Sequence, residues 1–341
     1  GRARRVIDAL PADARPHPVL RKARTRDAHL TAMMRDEPLY AHHAEEYSRD
    51  IHKSHLRLWP RRDAVRLARP IGVFLHLYYD ELAGIFRDRL AQIDAPLQLY
   101  VSTDTEAKAQ GLRAVFPEAD VRAMPNRGRD ILPKFYGFEG AHDRHDIVLH
   151  LHGKRSAHSG RLDEWLAHIL DCLLPCPSQI NRILSLFRTI PELGLIAPLT
   201  HKAVLPAAHW AANRDIAREL AHRMGLAAPL PEDDRLRFPV GSMFWARRSA
   251  LQPLLDLGLQ PDHFPPEAGQ LDGTLAHAIE RMVGCTCLAT GHRMLNVAHH
   301  GSRQHKRFQH AFDSNRQVRA ALISGLLEGN AQASTEVAAD D

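Results

Sequence analysis

Residues 145–158 read HDIVLHLHGKRSAH. Ile147, Val148, Leu149 and Leu151 make a short apolar run broken by His150, the pattern of a buried strand. The run empties into His152, Gly153, Lys154, Arg155, Ser156 and His158. The same alternation extends in both directions. From residue 71, IGVFLHLYY reads as a strand and DELAGIFRDRLAQI as a helix. LQLYVST is a second strand, and DTEAKAQGLRAVF a helix with Asp104 near its N-terminus, where a carboxylate suits the helix dipole. ADVRAMP reads as a third strand, RDILPKFYGFEGAHD as a helix and DIVLHLH as the fourth strand. Continuously apolar strands alternating with helices across short connections predict an α/β fold, a parallel sheet covered on both faces.

The second half is less regular. Helices are expected at 161–174 and 177–190, a strand at LGLIAP, and a loop-and-helix region around 205–225. FPVGSMFWARRSAL reads as a strand running into a helix, QLDGTLAHAIERM as a helix with Asp272 near its start, and CTCLAT as a closing strand. Ligands of such sheets bind at the carboxyl ends of the strands. Two chemically rich stretches fall there, PNRGRD after the third strand and HGKRSAH after the fourth.

The chain has 341 residues, 44% hydrophobic and 25% charged, with no apolar run of the length, about 18 residues, that a bilayer needs. Its opening GRARRVIDAL has charge but no apolar h-region, so no secretory signal is expected. Residues 1–70 hold 16 Lys/Arg against 9 Asp/Glu, and the remainder 29 against 31. A basic excess in a leading segment, and not on the folded body, argues against a nucleic-acid partner. It suits an anionic surface, a protein partner or solubility. That leading segment reads as helical and irregular. Cys172, Cys176, Cys285 and Cys287 are spaced as C-x3-C and C-x-C, which matches no common zinc pattern. Reduced thiols on apolar faces are expected.

The HLHGKRSAH loop supports three readings. His150 and His152 share a strand face and, with His158, suggest metal ligation, but Lys154 and Arg155 would repel a cation and no carboxylate lies in the loop. Gly153 allows close backbone approach while Lys154, Arg155 and Ser156 donate to phosphate oxygens, which favours an anion site. A solvated basic loop is the third reading. In PNRGRDILP, Asn126 and Gly128 are turn formers, Arg127 and Arg129 are donors, and Asp130 stands where it would cap the next helix. Together the two loops suit a diphosphate, although the P-loop pattern is absent.

Glu267, Asp272, His277 and Glu280 fall within FPPEAGQLDGTLAHAIER, with His277 and Glu280 on one helical face. An Asp at a helix start beside a diphosphate site would serve as a general base toward a sugar hydroxyl, although on spacing alone an N-cap and a surface Glu–Arg pair account for the pattern better. Ser242 and Trp245 of GSMFWAR are core or turn residues by default, and a Trp at a sheet edge also makes a platform for a sugar ring.

NRGRDILP, IVLHLHGKRS, VGSMFWARRSAL and GQLDGTLAHAIER, in this order, resemble the rhamnan synthesis protein F family over about residues 70–300. The resemblance implies a GT-A-like (Rossmann-like), mostly parallel sheet flanked by helices at 70–312, between a basic helical segment at 1–69 and a C-terminal helix and polar tail at 313–341. It implies transfer of a sugar, a deoxyhexose such as rhamnose, from a nucleotide-sugar donor to a glycan or lipid-linked glycan acceptor of a bacterial cell-wall, capsule or O-antigen polysaccharide. Its members occur as modules of larger synthases, and a cytoplasmic location at the inner face of the membrane follows.

Many GT-A enzymes hold a divalent metal on Asp-x-Asp after the fourth strand, but no Asp-x-Asp occurs in this chain and His152-Gly153-Lys154 stands there. The expectation is metal-independent leaving-group stabilisation by Lys154 and Arg155, aided by Arg127 and Arg129, with Asn126, Asp130, His152 and Ser156 in the same diphosphate site and no cofactor. By the same resemblance Asp272 is the expected base, with Glu267 next and His277 beside them. Ser242, Trp245 and Glu280 face sugar or acceptor. A non-catalytic carbohydrate-binding or scaffolding module is the alternative. A metal-dependent hydrolase built on His150, His152 and His158 is a third reading.

Overall fold

The computed structural model describes residues 55–58, 60–153, 160–201, 204–270, 272–298, 309–310 and 314–324. Within them, strands β1 (His55–Arg57), β2 (Ile71–His76), β3 (Leu97–Thr103), β4 (Asp120–Ala123), β5 (Ile147–His152), β6 (Leu193–Pro198), β7 (Phe244–Arg247), β8 (Arg293–Ala298) and β9 (Gln309–His310) form one sheet. Their spatial order is β4-β3-β2-β5-β7-β6-β8-β1-β9. Every pairing is parallel except those of β7, which runs antiparallel to both β5 and β6. The expected α/β class, a mostly parallel sheet flanked by helices, is therefore the one observed.

Helices α1 (Ala83–Leu90), α2 (Glu106–Val115), α3 (Ile131–Tyr136), α4 (Gly160–Leu173), α5 (Pro177–Thr189), α6 (Arg214–Arg223), α7 (Gln252–Leu255), α8 (Leu275–Ala289) and α9 (Asn315–Ile323) complete the secondary structure. Alternation along the strands sorts the core into two layers. Val73, Leu75, Val101, Leu149, Leu151 and Trp245 pack with Phe86, Leu112, Ile169 and Ile183 of α1, α2, α4 and α5. Phe74, Tyr100, Val148, Phe244 and Ala246 pack with Phe135, Leu220 and Ile279 of α3, α6 and α8 on the other side. Both faces are covered, which is why the strands carry apolar residues at nearly every position.

On the α8 face, strand register lines up Tyr100, Phe74, His150 and Phe244 across four strands. Phe74 stacks on Tyr100 at 4.8 Å between ring centroids, and the His142 ring lies on its other face at 3.9 Å. His142 and His150 share one hydrogen bond between their Nε2 atoms (3.2 Å). The His145 ring covers Gly72, where a Cβ would lie 2.5 Å from it. Its Nδ1 donates to the Pro70 carbonyl (2.8 Å), so its Nε2 accepts from the Tyr100 hydroxyl (3.0 Å).

Several expectations are corrected here. CTCLAT is not a strand: Cys285 and Cys287 lie inside α8, because Ile279, Met282, Val283 and Cys287 continue one buried helical face. The closing strand is β8. The helix expected across RDILPKFYGFEGAHD ends at Tyr136, where Gly137, a poor helix former, follows, and only a short 3-10 turn comes after it at His142–Arg144. The leading segment, expected to be helical, contributes strand β1 to the sheet. Helix α9 lies against α5, with Asn315 Nδ2 donating to Ser185 Oγ (2.9 Å) and Thr189 Oγ1 (2.8 Å). Among the described residues the cysteines are free thiols, and no helix is long and apolar enough to cross a membrane.

Gly284 of α8 is fixed by packing: an added Cβ would sit 1.8 Å from the Arg237 carbonyl oxygen. Gly284→Ala is expected to destabilise the protein by about 3 kcal/mol in denaturant titration, as overpacking against backbone does. Gly111, in α2, has open space at its Cβ position, so Gly111→Ala is expected to stabilise by about 0.5–1 kcal/mol through helix propensity.

Candidate active site

Parallel register brings Ser102, His76 and His152 to one level at the carboxyl ends of β3, β2 and β5. His76 Nδ1 shares a hydrogen bond with Ser102 Oγ (3.0 Å), and His152 Nε2 donates to the Gly241 carbonyl (2.7 Å). This polar row sits directly above the aromatic row of Tyr100, Phe74 and His150.

The loop after β4 turns over this edge through two successive left-handed residues, Gly128 (φ 64°) and Arg129 (φ 54°). A Cβ at Gly128 would lie 2.6 Å from Phe264 and 2.8 Å from Leu132, so the position requires glycine. The turn is joined to the segment before α8. Arg127 donates to the Phe264 carbonyl (3.0 Å), Arg129 donates to the Gln270 carbonyl and lies 3.7 Å from Glu267, and the Gly128 and Arg129 amides lie near enough to the Glu267 carboxyl to favour its charge.

Beneath that turn Lys134 of α3 is wholly buried. Its Nζ lies 2.8 Å from Asp130 Oδ2 and donates to the carbonyl and the Oγ (3.1 Å) of Ser242. Gly241 (φ 93°) and Ser242 (φ 54°) form a second left-handed turn, whose Gly241 amide donates to Glu280 Oε1 (2.7 Å). On the far side Asp272 is enclosed. It accepts from Asn213 Nδ2 (2.7 Å) and the Ala212 amide (3.1 Å), and lies 3.4 Å from Arg281. Ala211 beside it is also left-handed (φ 46°). Arg129, Ala211 and Ser242 are the three non-glycine residues with positive φ among the described residues, and all three stand at this edge. Such strain collects where a structure over-determines a working geometry.

The electrostatics follow from burial and cation placement. Burial works against the charge of Asp272, yet the Arg281 guanidinium and the Asn213 amide hold its carboxyl below the usual range. Burial likewise opposes ionisation of Asp130, and His152 and Lys134 outweigh it, keeping Asp130 ionised. Glu267 goes the other way: burial raises its carboxyl against the pull of Arg129. Burial pushes the His277 imidazole down to about 3, with Arg129 adding to the effect, and His76 down to about 4.

Of the residues expected at the site, Arg127, Arg129, Asp130, His152, Ser242, Glu267, Asp272, His277 and Glu280 are brought together; Asn126 is exposed at the tip of its loop. Lys154, Arg155, Ser156 and His158 lie outside the described residues. Two expectations fail. Trp245 cannot carry a sugar, because it is 0% exposed in the opposite core layer with its Nε1 donating to the Leu173 carbonyl. Asp130 does not cap α3, because its carboxylate turns to Lys134. His150 is a layer too deep to act with His152, and no group of three or more metal-ligating side chains occurs among the described residues.

Lys134, His76, Asn213 and Arg281 were missed. For Lys134 a signal existed: Asp-x-x-x-Lys inside the otherwise apolar DILPKFY is a buried i,i+4 ion pair waiting to be read.

These features define an α/β protein whose polar, strained cleft lies at the carboxyl edge of its sheet. The chain belongs to the rhamnan synthesis protein F family, whose model matches residues 53–292 and so takes in β1 ahead of the stretch read from the motifs. Two relatives, each described as uncharacterized protein WxcX, come from Xanthomonas campestris pv. campestris strains B100 and ATCC 33913. Each is 37% identical over 230 residues, 66% of this chain and 32% of the relative, so the chain spans about a third of their length. Among solved structures, the chain is similar to mannosyltransferase PcManGT from Pyrobaculum calidifontis in complex with GDP-Man and Mn2+, with TM-score 0.38 and 15% identity over 82% of this chain and 68% of that one. It is also similar to glucosyl-3-phosphoglycerate synthase from Mycobacterium tuberculosis in complex with UDP, with TM-score 0.36 and 15% identity over 80% and 88%.

Removing the Asp272 carboxylate strands a buried guanidinium and two donors, so Asp272→Ala is expected to destabilise by about 2–4 kcal/mol in denaturant titration. In the fold His76, His142 and His277 remain neutral down to about 4, 3 and 3, whereas in the unfolded chain they protonate near 6.5. The unfolded chain therefore binds more protons below pH 6.5, and stability falls as pH drops from about 6.5 toward 4. The expected slope is about 1.4 kcal/mol per pH unit for each histidine, read from denaturation midpoints at several pH values.

Proposed function

We propose that this chain is a glycosyltransferase module that moves a sugar from a nucleotide-sugar donor onto a growing bacterial surface polysaccharide. The observation that carries the reading is convergence. Motifs spread over more than a hundred residues of sequence meet at the carboxyl edge, where a guanidinium group stands 3.7 Å from an acid of raised affinity for protons. Family membership points to the same biology, and a deoxyhexose such as rhamnose is the proposed sugar. The greater length of the relatives supports a role as one module of a larger synthase, acting on a glycan or lipid-linked acceptor at the inner membrane face.

The donor diphosphate is met by cations: Lys154 and Arg155 from the sequence after β5, with Arg129 and Arg127 from the turn after β4. The described residues of the cleft do not fit a divalent metal, since they offer no cluster of three ligands and the nearest charged groups include Arg129 and Lys134. No step is assigned to one. In the transfer an acceptor hydroxyl attacks the anomeric carbon and gives its proton to the base. The bond from that carbon to the phosphate oxygen breaks, and the nucleoside diphosphate leaves with the electron pair. Glu267 is the better base, because its carboxyl is raised toward the working pH, whereas Asp272 is held ionised by donors that already occupy it. Asp272 positions the segment that leads into α8.

The test is a thermal-shift panel with UDP-, GDP- and dTDP-sugars, each with Mn2+ and with chelator. A ligand at about a hundred times its Kd adds near 2.7 kcal/mol of stability. One nucleotide is expected to shift the protein whether or not chelator is present. A shift that needs Mn2+ would remove the cationic assignment, and no shift with any donor would favour the non-catalytic carbohydrate-binding module. With the active donor, Glu267→Gln is expected to lower turnover by about a hundred-fold or more while leaving donor binding intact. Normal turnover would exclude Glu267 as the base.

A further inference from the structure

Asp130 is placed beside the diphosphate by its sequence motif, but the structure gives it different chemistry. Its carboxylate is kept ionised, and an ionised carboxylate accepts hydrogen bonds without donating any. Set against a diphosphate it would bring two anions together. Against sugar hydroxyls, the donor-rich part of a nucleotide sugar, it has suitable partners.

The geometry also says which part of the group is available. Oδ2 is buried against the Lys134 ammonium at 2.8 Å, while the side chain as a whole keeps 15% exposure. Lys134 has no exposure at all and is itself fixed by the Ser242 carbonyl and Oγ. One oxygen is thus anchored from below, and the exposure that remains to the side chain is what a ligand can reach. His152 stands 3.9 Å away and His76 is close enough to feel the Asp130 charge, both on the polar row at the strand ends. Beneath them the Phe74, Tyr100 and His150 layer closes the floor to water.

We propose that Asp130, aimed by Lys134 and flanked by His76 and His152, reads adjacent hydroxyls of the transferred sugar and so sets donor-sugar specificity. This rests on the glycosyltransferase reading and deepens it. The occupant is the hexose ring of a nucleotide sugar, and Lys134 is a positioning residue that never touches it.

The experiment compares wild type with Asp130→Asn by calorimetric titration. UDP-glucose, GDP-mannose and dTDP-rhamnose are each paired with the matching nucleoside diphosphate. The substitution is expected to weaken the preferred nucleotide sugar about ten-fold or more while leaving its nucleoside diphosphate unchanged. Equal weakening of both, or no change in either, would overturn the proposal. If wild type binds none of the six ligands, the glycosyltransferase reading itself fails, which is a different result from an unaffected variant. Because Asp130→Asn leaves the Lys134 charge buried, the double variant Asp130→Asn with Lys134→Met removes the pair together and is titrated in parallel. Wild type is also titrated with monodeoxy analogues of the preferred donor. Loss of about ten-fold or more is expected at one or two ring positions only, and uniform tolerance of every deoxy position would equally sink the idea.

Discussion

A lysine ammonium with no exposed surface must be solvated by the protein around it, and most of the cleft is arranged to do so. The Lys134 ammonium donates to both oxygens of Ser242 and pairs with one carboxylate oxygen of Asp130 at 2.8 Å. Satisfying Ser242 requires a left-handed turn, and that turn presents the Gly241 carbonyl to His152 and the Gly241 amide to Glu280. One buried charge therefore ties together the turn after β4, the end of β5, the entry to β7 and the middle of α8. A left-handed non-glycine residue costs about 1–3 kcal/mol, and the ion pair and hydrogen bonds around Lys134 offset that strain at Ser242.

The layer below explains why these polar contacts are effective. Phe74, Tyr100, His142, His150 and Phe244 form a nearly dry row of rings in which the histidines are held neutral by burial. Charges resting on such a floor interact more strongly than they would in water. Strand register fixes the two rows one above the other, since Phe74 and His76, like His150 and His152, are two residues apart on one face. Position along the strand, two residues on the same face, separates a structural histidine from one at the cleft, although both belong to the single run IVLHLH.

This also shows what the sequence made legible. LQLYVST and LGLIAP are strands to the residue, because a parallel strand covered on both faces has a plain apolar signature. Placement of the chemistry at the carboxyl edge followed from the alternation of elements. Strand direction did not, because FWAR carries the same apolar signature whether it runs with its neighbours or against them, and β7 runs against them. CTCLAT misled because a short run of β-branched and apolar residues fits a strand as well as the last turns of a buried helix. Trp245 was placed near a ligand by its neighbours in sequence, but parity along the strand sends it into the opposite layer from Phe244.

Glu267 and Asp272 mark where residue type stops being informative. Both are carboxylates in one short segment, and the resemblance to other sugar transferases points to Asp272 at the helix start. Their surroundings reverse the order. Asp272 sits among an amide side chain, a backbone amide and a guanidinium, the setting of an acid that holds structure together. Glu267 lies beside the Arg129 guanidinium and the backbone amides of that turn, but burial outweighs them and leaves it the more basic of the two. Those partners come from the turn at Gly128 and Arg129 and from Ala212 and Asn213, segments distant from the acids in sequence. A carboxylate's role as base or as brace is thus a property of the chain that folds against it, and tertiary structure decides between the two.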